Sequence, residues 1–276
     1  MNLTACSITS STARLLKTTF LRDTIVIHTF HHPRIARQGK PGQFVQILTS
    51  AEITPFFRRP MSIFATDPRR GTFSILCAVV GLGTRLLAKA ATGDELSIVG
   101  PLGNTFSLPR RCSHVVLVAG GVGLTPLAYW ARHLIAAKPK GVRPRVTIFA
   151  GARSDAERIC IPRIKSARYL WSTDDGSYGF KGTVIDLLKK VGGEESWPAD
   201  GTAIYGCGPT PMLKVLQEWI VEGGYWGQFS LEALMPCGFG VCSGCVVETR
   251  PEQEGYDRFR RVCYDGPVFG AREVIL

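Results

Sequence analysis

The chain is short of acid and has no long uninterrupted apolar run. Its 22 aspartates and glutamates face 33 lysines and arginines, a formal charge of +11 over 276 residues. An excess of that size draws nucleic acid, membrane surfaces or anionic ligands. No basic stripe interleaved with aromatics is present, only doublets such as Arg58-Arg59, Arg69-Arg70, Arg110-Arg111 and Arg260-Arg261. A nucleic-acid partner is therefore not expected. Attraction to phosphate-bearing small molecules, or to an acidic partner, accounts for the charge as well. The longest uncharged stretch, Val115 to Ala131, is broken by Gly120-Gly121-Val122-Gly123 and Pro126, so no membrane span is expected. A disulfide framework is lacking too. Of nine cysteines, Cys6, Cys77, Cys112, Cys160 and Cys207 are scattered without framework spacing, which suits a reducing, cytoplasmic setting. The first 22 residues have no acid, faintly like a transit peptide. However, Thr18 to Phe30 is rich in β-branched residues and reads as a strand, so this segment is expected to be part of the fold. No acid–base pair or nucleophile constellation stands out anywhere.

What is present centres on residues 231–269. Cys237, Cys242 and Cys245 are spaced C-x4-C-x2-C, and Cys263 follows after seventeen intervening residues. That is the local spacing of a plant-type [2Fe–2S] loop with a later fourth thiolate. Gly238, Gly240 and Gly244 let the backbone close round a small anionic cluster and can take positive φ, turning N–H groups toward sulfide. Ser243 adds no bulk. Zinc is the nearest rival, because four cysteines also bind a tetrahedral ion. Zinc modules usually present two short knuckles, whereas here the fourth cysteine stands alone.

The texture upstream changes once. With 45% apolar residues the chain can build a core, and its length suits two domains or a large one plus a module. From about Leu15 to Leu108, short β-rich runs alternate with Gly, Pro and Asp turns, which predicts an antiparallel barrel or sandwich. One helical piece, Gly83 to Ala90, lies inside it. From His114 the pattern becomes alternating strands and helices: strands at HVVLVAGG, RVTIFAGARS, YLWSTDD and TAIYGCGPT, with helices at TPLAYWARHLIAA, TVIDLLKKV and PMLKVLQEWIVEGG. Such alternation predicts a parallel sheet covered on both faces. The fold class is thus α/β plus all-β.

Two loops and one strand entry carry further chemistry. Ala119 to Pro126 follows a strand and opens a helix, so its N–H groups and the helix dipole suit a pyrophosphate. The turn departs from G-x-G-x-x-G because Pro126 holds the last glycine position, and a structural turn remains an equal reading of this stretch alone. Gly206-Cys207-Gly208-Pro209 and Asp174-Asp175-Gly176 also end strands, so three loops are expected near one crevice. Arg58-Arg59-Pro60-Met61-Ser62 enters a strand. Its arginine fork suits phosphate and Ser62 a ring nitrogen, although solvated arginines on an edge strand are the plainer reading.

Taken together and in this order, the strings resemble the ferredoxin reductase-type flavoproteins, and within them the electron-transfer subunits of class B dihydroorotate dehydrogenases. The resemblance runs over nearly the whole chain. It is carried by RRPMS, VVGLGTRLL, GDELSIVGPLGNTF, LVAGGVGLTPL, TDDGSYGFKGTV, YGCGPTPML and, most specifically, MPCGFGVCSGC with VCYDGPVF. It implies an FAD-binding β-barrel at 1–110, an NAD-binding α/β domain at 111–227 and a [2Fe–2S] module at 228–276. It places FAD against Arg59, Pro60, Met61 and Ser62, against Leu76, Cys77 and Ala78, and against Gly83 and Thr84. Met61 departs from the branched or aromatic residue usual in the family. The resemblance places the nicotinamide nucleotide on Gly120, Gly121, Gly123, Thr125 and Pro126, with Cys207, Gly208 and Pro209 near the nicotinamide, and gives the cluster Cys237, Cys242, Cys245 and Cys263. The implied activity is passage of electrons between NAD and the FMN of a separate dihydroorotate-oxidising subunit, in pyrimidine (UMP) biosynthesis. That subunit's (β/α)8 barrel needs about 250 residues of its own, so a separate partner is expected, and the resemblance implies a heterotetramer of two plus two. Rival readings are the small subunit of an NADH-dependent ferredoxin:NADP oxidoreductase or another reductase component, a lone diaphorase, and a zinc-structured basic binding module. Arg153 and Ser154, after the second strand of the α/β region, leave NADH and NADPH both open.

Overall fold

The computed structural model describes residues 10–50, 52–137, 143–250 and 258–276. Cys6 and most of the polar insert before Cys263 lie outside the described residues. Six strands close into an antiparallel barrel: β1 (Ser10–Arg22), β2 (Ile25–His31), β3 (Phe44–Ile47), β4 (Arg59–Asp67), β5 (Thr72–Ala78) and β6 (Glu95–Leu102), in the order β1-β2-β5-β4-β3-β6. Alternate residues point inward, so Val26, Val45, Ile47, Ile63, Ile75 and Ile98 fill the interior. The single strand expected over Thr18 to Phe30 is corrected. The chain turns at Asp23-Thr24, and Thr18 folds back opposite His28 and Phe20 opposite Val26. Asp23, which accepts turn geometry, interrupts a stretch rich in β-branched and other apolar residues. Helix α1 (Pro33–Gln38) was not expected. It is six residues long, too short for a 3.6-residue period, and starts from a cap in which His32 Nδ1 accepts from the Ile35 N–H at 3.1 Å. Helix α2 (Leu82–Ala88) is the expected helical piece.

The second half forms a seven-stranded sheet. Its strands are β7 (His114–Gly120), β8 (Arg145–Ala152), β9 (Ala167–Thr173), β10 (Phe180–Lys181), β11 (Thr202–Cys207), β12 (Trp226–Ser230) and, beyond the small hairpin of β13 (Val246–Glu248) and β14 (Phe259–Arg261), β15 (Val268–Gly270). The order is β10-β9-β8-β7-β11-β12-β15, parallel except for β15 against β12. Helix α3 (Leu124–Ala136) covers one face, over Val115, Leu117, Ile148 and Tyr205. Helices α4 (Val184–Glu195) and α5 (Thr210–Glu222) cover the other, over Val116, Val118, Phe149 and Ile204. Burial on both faces explains the near-continuous apolar strands.

Strands β12 and β15 carried no sequence signal, and the division drawn between residues 227 and 228 falls inside β12. The tail leaves the sheet after Ser230, makes the cysteine loop and the β13–β14 hairpin, and returns as the sheet's edge strand. Asn104 ties it to the end of the barrel. Its Nδ2 donates to the Asp265 and Val268 carbonyls at 3.0 and 2.8 Å, and its Oδ1 accepts from the Val268 N–H at 2.9 Å. Helix α3 joins the barrel to the sheet. The Tyr129 hydroxyl donates to the Gly39 carbonyl at 2.9 Å and bonds the Thr66 hydroxyl at 2.7 Å. Arg132 donates to the Phe64 carbonyl at 3.1 Å, with its guanidinium 4.2 Å above the Phe64 ring. No helix among the described residues is long and apolar enough to cross a membrane.

Candidate functional site

Barrel, sheet and tail meet round a cavity of about 250 Å³. The barrel supplies Pro60, Met61 and Ser62 from β4, Leu76, Cys77 and Ala78 from β5, and Thr84 from α2. The first turn of α3 supplies Thr125, and the end of β11 supplies Cys207. All of these were expected from the sequence. What the sequence reading missed is a third wall, Ser230 to Ala233 with Met235, and the flanking Phe44, Val122 and Pro267. Phe44 and Ser230 to Ala233 lie outside the strings that carry the resemblance, whereas Val122, Met235 and Pro267 lie inside them with no role expected of their side chains.

The cavity is apolar with few polar groups. Thr125 is almost fully buried, and its hydroxyl has no protein partner. Burial pushes the Cys77 thiol up to about 12, and burial followed by the nearby Glu232 carboxylate pushes Cys207 up further. Both stay neutral thiols. Glu232 lines the cavity while part of its side chain stays exposed, and the protein packed about its carboxyl shifts it upward. A second cavity of about 290 Å³ adjoins it, reached past Leu231 and Glu232 and lined by Gly208, Pro209 and Thr210 at the start of α5.

The glycine turn and the Cys207 loop are in backbone contact. A Cβ at Gly123 would run into the Cys207 carbonyl and lie 2.8 Å from the Gly208 nitrogen. Gly123 is thus required by close approach and not by its φ of −58°. Gly120 and Gly121 complete the turn, and Pro126 sits buried in the first turn of α3. Of the three loops expected at one crevice, these two converge. Asp174 to Gly176 ends β9, two strands or roughly 10 Å from β7, and bonds the β8 end through the Ala152 and Arg153 carbonyls. The Arg153 guanidinium is paired with Glu157 at 2.7 Å.

The two arginines before β4 have separate placements. Arg58 is fixed to β6, donating to the Ser97 carbonyl and hydroxyl at 2.7 and 2.8 Å. Arg59 lies over Gly83 at the start of α2. The Thr84 hydroxyl closes that start, accepting from the Val80 and Gly81 N–H groups at 2.9 and 3.0 Å.

The four cysteines of the loop act on one another: Cys242 lowers the Cys237 thiol, and Cys245 raises that of Cys263. Among the described residues no three Cys, His, Asp or Glu side chains converge on one ion-sized point. Backbone N–H groups aim at sulfur. Gly240 donates to Cys263 Sγ at 3.1 Å, Gly244 to Cys242 Sγ at 3.4 Å and Cys263 to Cys245 Sγ at 3.4 Å. Burial opposes ionisation of Cys237, but the Cys242, Phe239 and Val241 N–H groups outweigh it and hold the thiol down to about 6. Burial, reinforced by the Cys245 thiol, pushes Cys263 up to about 12. Positive φ falls at Gly238 (+82°), Gly240 (+88°) and Ser243 (+54°). Gly244, expected to take it, does not; a side chain there would press on Pro236. The donor set, the inward N–H groups and the close turns fit a small anionic cluster.

Comparison with known proteins follows the same division. Residues 232–275 match the iron-sulfur cluster binding domain of dihydroorotate dehydrogenase B, and residues 117–218 the oxidoreductase NAD-binding domain. A dihydroorotate dehydrogenase B (NAD(+)) electron transfer subunit from Desulforamulus reducens is 36% identical over 248 residues, covering 89% of this chain and 90% of the relative. The solved structure of an NADH-dependent reduced ferredoxin-NADP oxidoreductase superposes with a TM-score of 0.81 at 29% identity, covering 97% of this chain and 91% of the other. A ferredoxin NADP+ reductase from Neisseria gonorrhoeae, solved with bound FAD and NADP, shares the fold at a TM-score of 0.63 and 18% identity, over 79% of this chain and 92% of its own. Relatedness at the level of the Desulforamulus protein, along most of both chains, makes this chain a member of the dihydroorotate dehydrogenase B electron transfer subunit family, and so an oxidoreductase component.

Proposed function

We propose that the chain passes electrons between an NAD nucleotide and the FMN of a separate dihydroorotate-oxidising subunit, by way of FAD and a [2Fe–2S] cluster, in pyrimidine synthesis. The observation that carries this reading is the shared cavity. One wall is the β4 and β5 segment expected to meet a flavin, another is the nucleotide loop, and the third is a strand end that reaches Cys237 two residues after Met235. Bound FAD supplies the exchange between a two-electron hydride donor and one-electron carriers. The protein supplies position and tuning.

In this reading Arg59, with Gly83 and Thr84 at the start of α2, would hold the FAD pyrophosphate. Pro60, Met61 and Ser62 lie beside Leu76, Cys77 and Ala78 on the one barrel wall that would meet the ring system, where the Ser62 hydroxyl would bond a ring nitrogen. Gly120, Gly121, Gly123, Thr125 and Pro126 hold the nucleotide, and Cys207, Gly208 and Pro209 border the nicotinamide. Cys207, being neutral, contacts without attacking. Cys237, Cys242, Cys245 and Cys263 ligate the cluster. The barrel at 1–110 is the FAD domain, 111–227 the NAD domain, and 228–276 the cluster module, which lends its strands to the edge of the NAD domain's sheet. A cytoplasmic heterotetramer of two plus two completes the assembly. NADH is favoured over NADPH because the family's members are named for NAD(+); the exposed Arg153–Glu157 pair does not decide it.

A second reading keeps the cofactors and changes the partner: the small subunit of an NADH-dependent ferredoxin:NADP oxidoreductase. The superposition with such an enzyme over 97% of this chain favours it. Co-purification with a co-expressed FMN-binding subunit, followed by assay of dihydroorotate-dependent NAD+ reduction, separates the two. The proposal expects a stable complex that forms orotate and NADH. A complex without that activity, or no complex, supports the second reading.

A further inference from the structure

Gln46 belongs to no motif, yet it is fully buried between the cavity and the cysteine loop. Strand β3 alternates. Val45 and Ile47 enter the barrel interior, while Phe44 faces the core that contains Cys245 and Cys263. Gln46 shares the Phe44 side. In the β3–β4 ladder it stands opposite Pro60, which lines the cavity. Its Nε2 donates to the Met235 carbonyl at 2.8 Å, and Met235 lines the same cavity. On the far side of Cys237, a Cβ at Gly238 would run into the Gln46 carboxamide. One carboxamide therefore touches the chain immediately before and immediately after the Cys237 segment. Its Oε1 is buried without a partner. A methionine would fill the same space without an unpaired oxygen, so space-filling alone does not account for the amide.

We propose that Gln46 is a positioning residue for the transfer between flavin and cluster: its N–H clamps the Met235 peptide and fixes Cys237 relative to the cavity. This rests on the reading of the cavity as the flavin site and of the loop as the cluster site. In the step concerned, one electron leaves the reduced flavin and one enters the oxidised cluster. NADH supplies the electrons, and Gln46 exchanges neither electron nor proton. Metal-site residues of this kind orient ligands through hydrogen bonds one layer out.

The test uses anaerobic holoprotein mixed rapidly with NADH, following flavin and cluster absorbance separately. In Gln46→Met the flavin should be reduced at close to the wild-type rate, while the flavin-to-cluster phase slows about tenfold or more. In Gln46→Glu, which keeps the shape, the protonated acid donates to Met235 and the carboxylate does not. The cluster phase should then slow as pH rises, beyond any change in the wild type, and the NADH-to-flavin phase should not. Hydrogen exchange over residues 235–240 should quicken in Gln46→Met. A cluster phase matching wild type in Gln46→Met, or in Gln46→Glu at every pH should Gln46→Met not accumulate, overturns the proposal while leaving the site reading intact. Wild-type protein without flavin or cluster absorbance overturns the site reading and this role with it.

Discussion

At the scale of single residues, close approach and N–H donation govern the site. Gly123 has ordinary helical φ, so an alanine there is strained only by its collision with the Cys207 carbonyl. Gly123→Ala must part the two loops, at a cost of about 1–3 kcal/mol. Calorimetric titration should show NADH binding weakened by about 5- to 150-fold at that cost. The cysteine loop yields a second expectation. In iron-free, reduced protein the Cys237 thiol ionises above about pH 6, whereas burial keeps Cys77 and Cys263 protonated until about 12. Thiolate is the reactive form. Alkylation at pH 7 with peptide mapping should therefore label Cys237 ahead of Cys77, Cys207 and Cys263. Equal labelling of the four would contradict the N–H cradle. The C-x4-C-x2-C loop stood out as a candidate because its spacing is local. The wall from Ser230 to Met235 did not, since ordinary apolar residues acquire their role only when the tail folds back on the barrel.

At the scale of elements, the strands and helices with the strongest periodicity were legible, and those defined by distant partners were not. β7, β8 and β11 read as buried runs because both their faces are covered. β12 and β15 exist because residues 226–230 find an edge on β11 and the chain end then pairs with them. The β1–β2 turn was hidden by β-branched residues on both sides of Asp23-Thr24. Where β8, β9 and α4 meet, one carboxylate joins three elements. Glu195 accepts from the Trp197 ring N–H, from Arg168 and from Arg145, and these bonds, Trp197 and Arg168 foremost, hold it down to about 2. A carboxylate whose folded pKa is depressed adds stability that is fully present above its unfolded pKa and fades as pH falls through the folded value. Glu195→Gln should lower stability by about 1 kcal/mol at neutral pH, read as a melting shift of about 2–4 °C. The gap from wild type should narrow as pH drops from about 4.5 toward 2. A gap independent of pH would mean that packing, not charge, is what the substitution removes.

At the scale of the whole molecule, α3 holds the flavin-type barrel against the nucleotide sheet, and the tail binds both to the cysteine loop. Tyr129 is the polar centre of the first contact, with bonds to Gly39 and Thr66. Tyr129→Phe leaves the Gly39 carbonyl unpaired and should cost about 1–3 kcal/mol, seen as a lower melting temperature with the visible spectrum retained. Loss of the flavin bands would show that this contact also shapes the cavity. The central claim is that one chain carries a continuous path from nucleotide to cluster. The most direct measurement is the visible spectrum of the anaerobically purified protein before and after NADH. The account predicts flavin bands near ~450 nm and cluster absorbance beyond ~500 nm, both bleached by NADH. A colourless zinc protein, or a cluster that stays oxidised while the flavin bleaches, would contradict it.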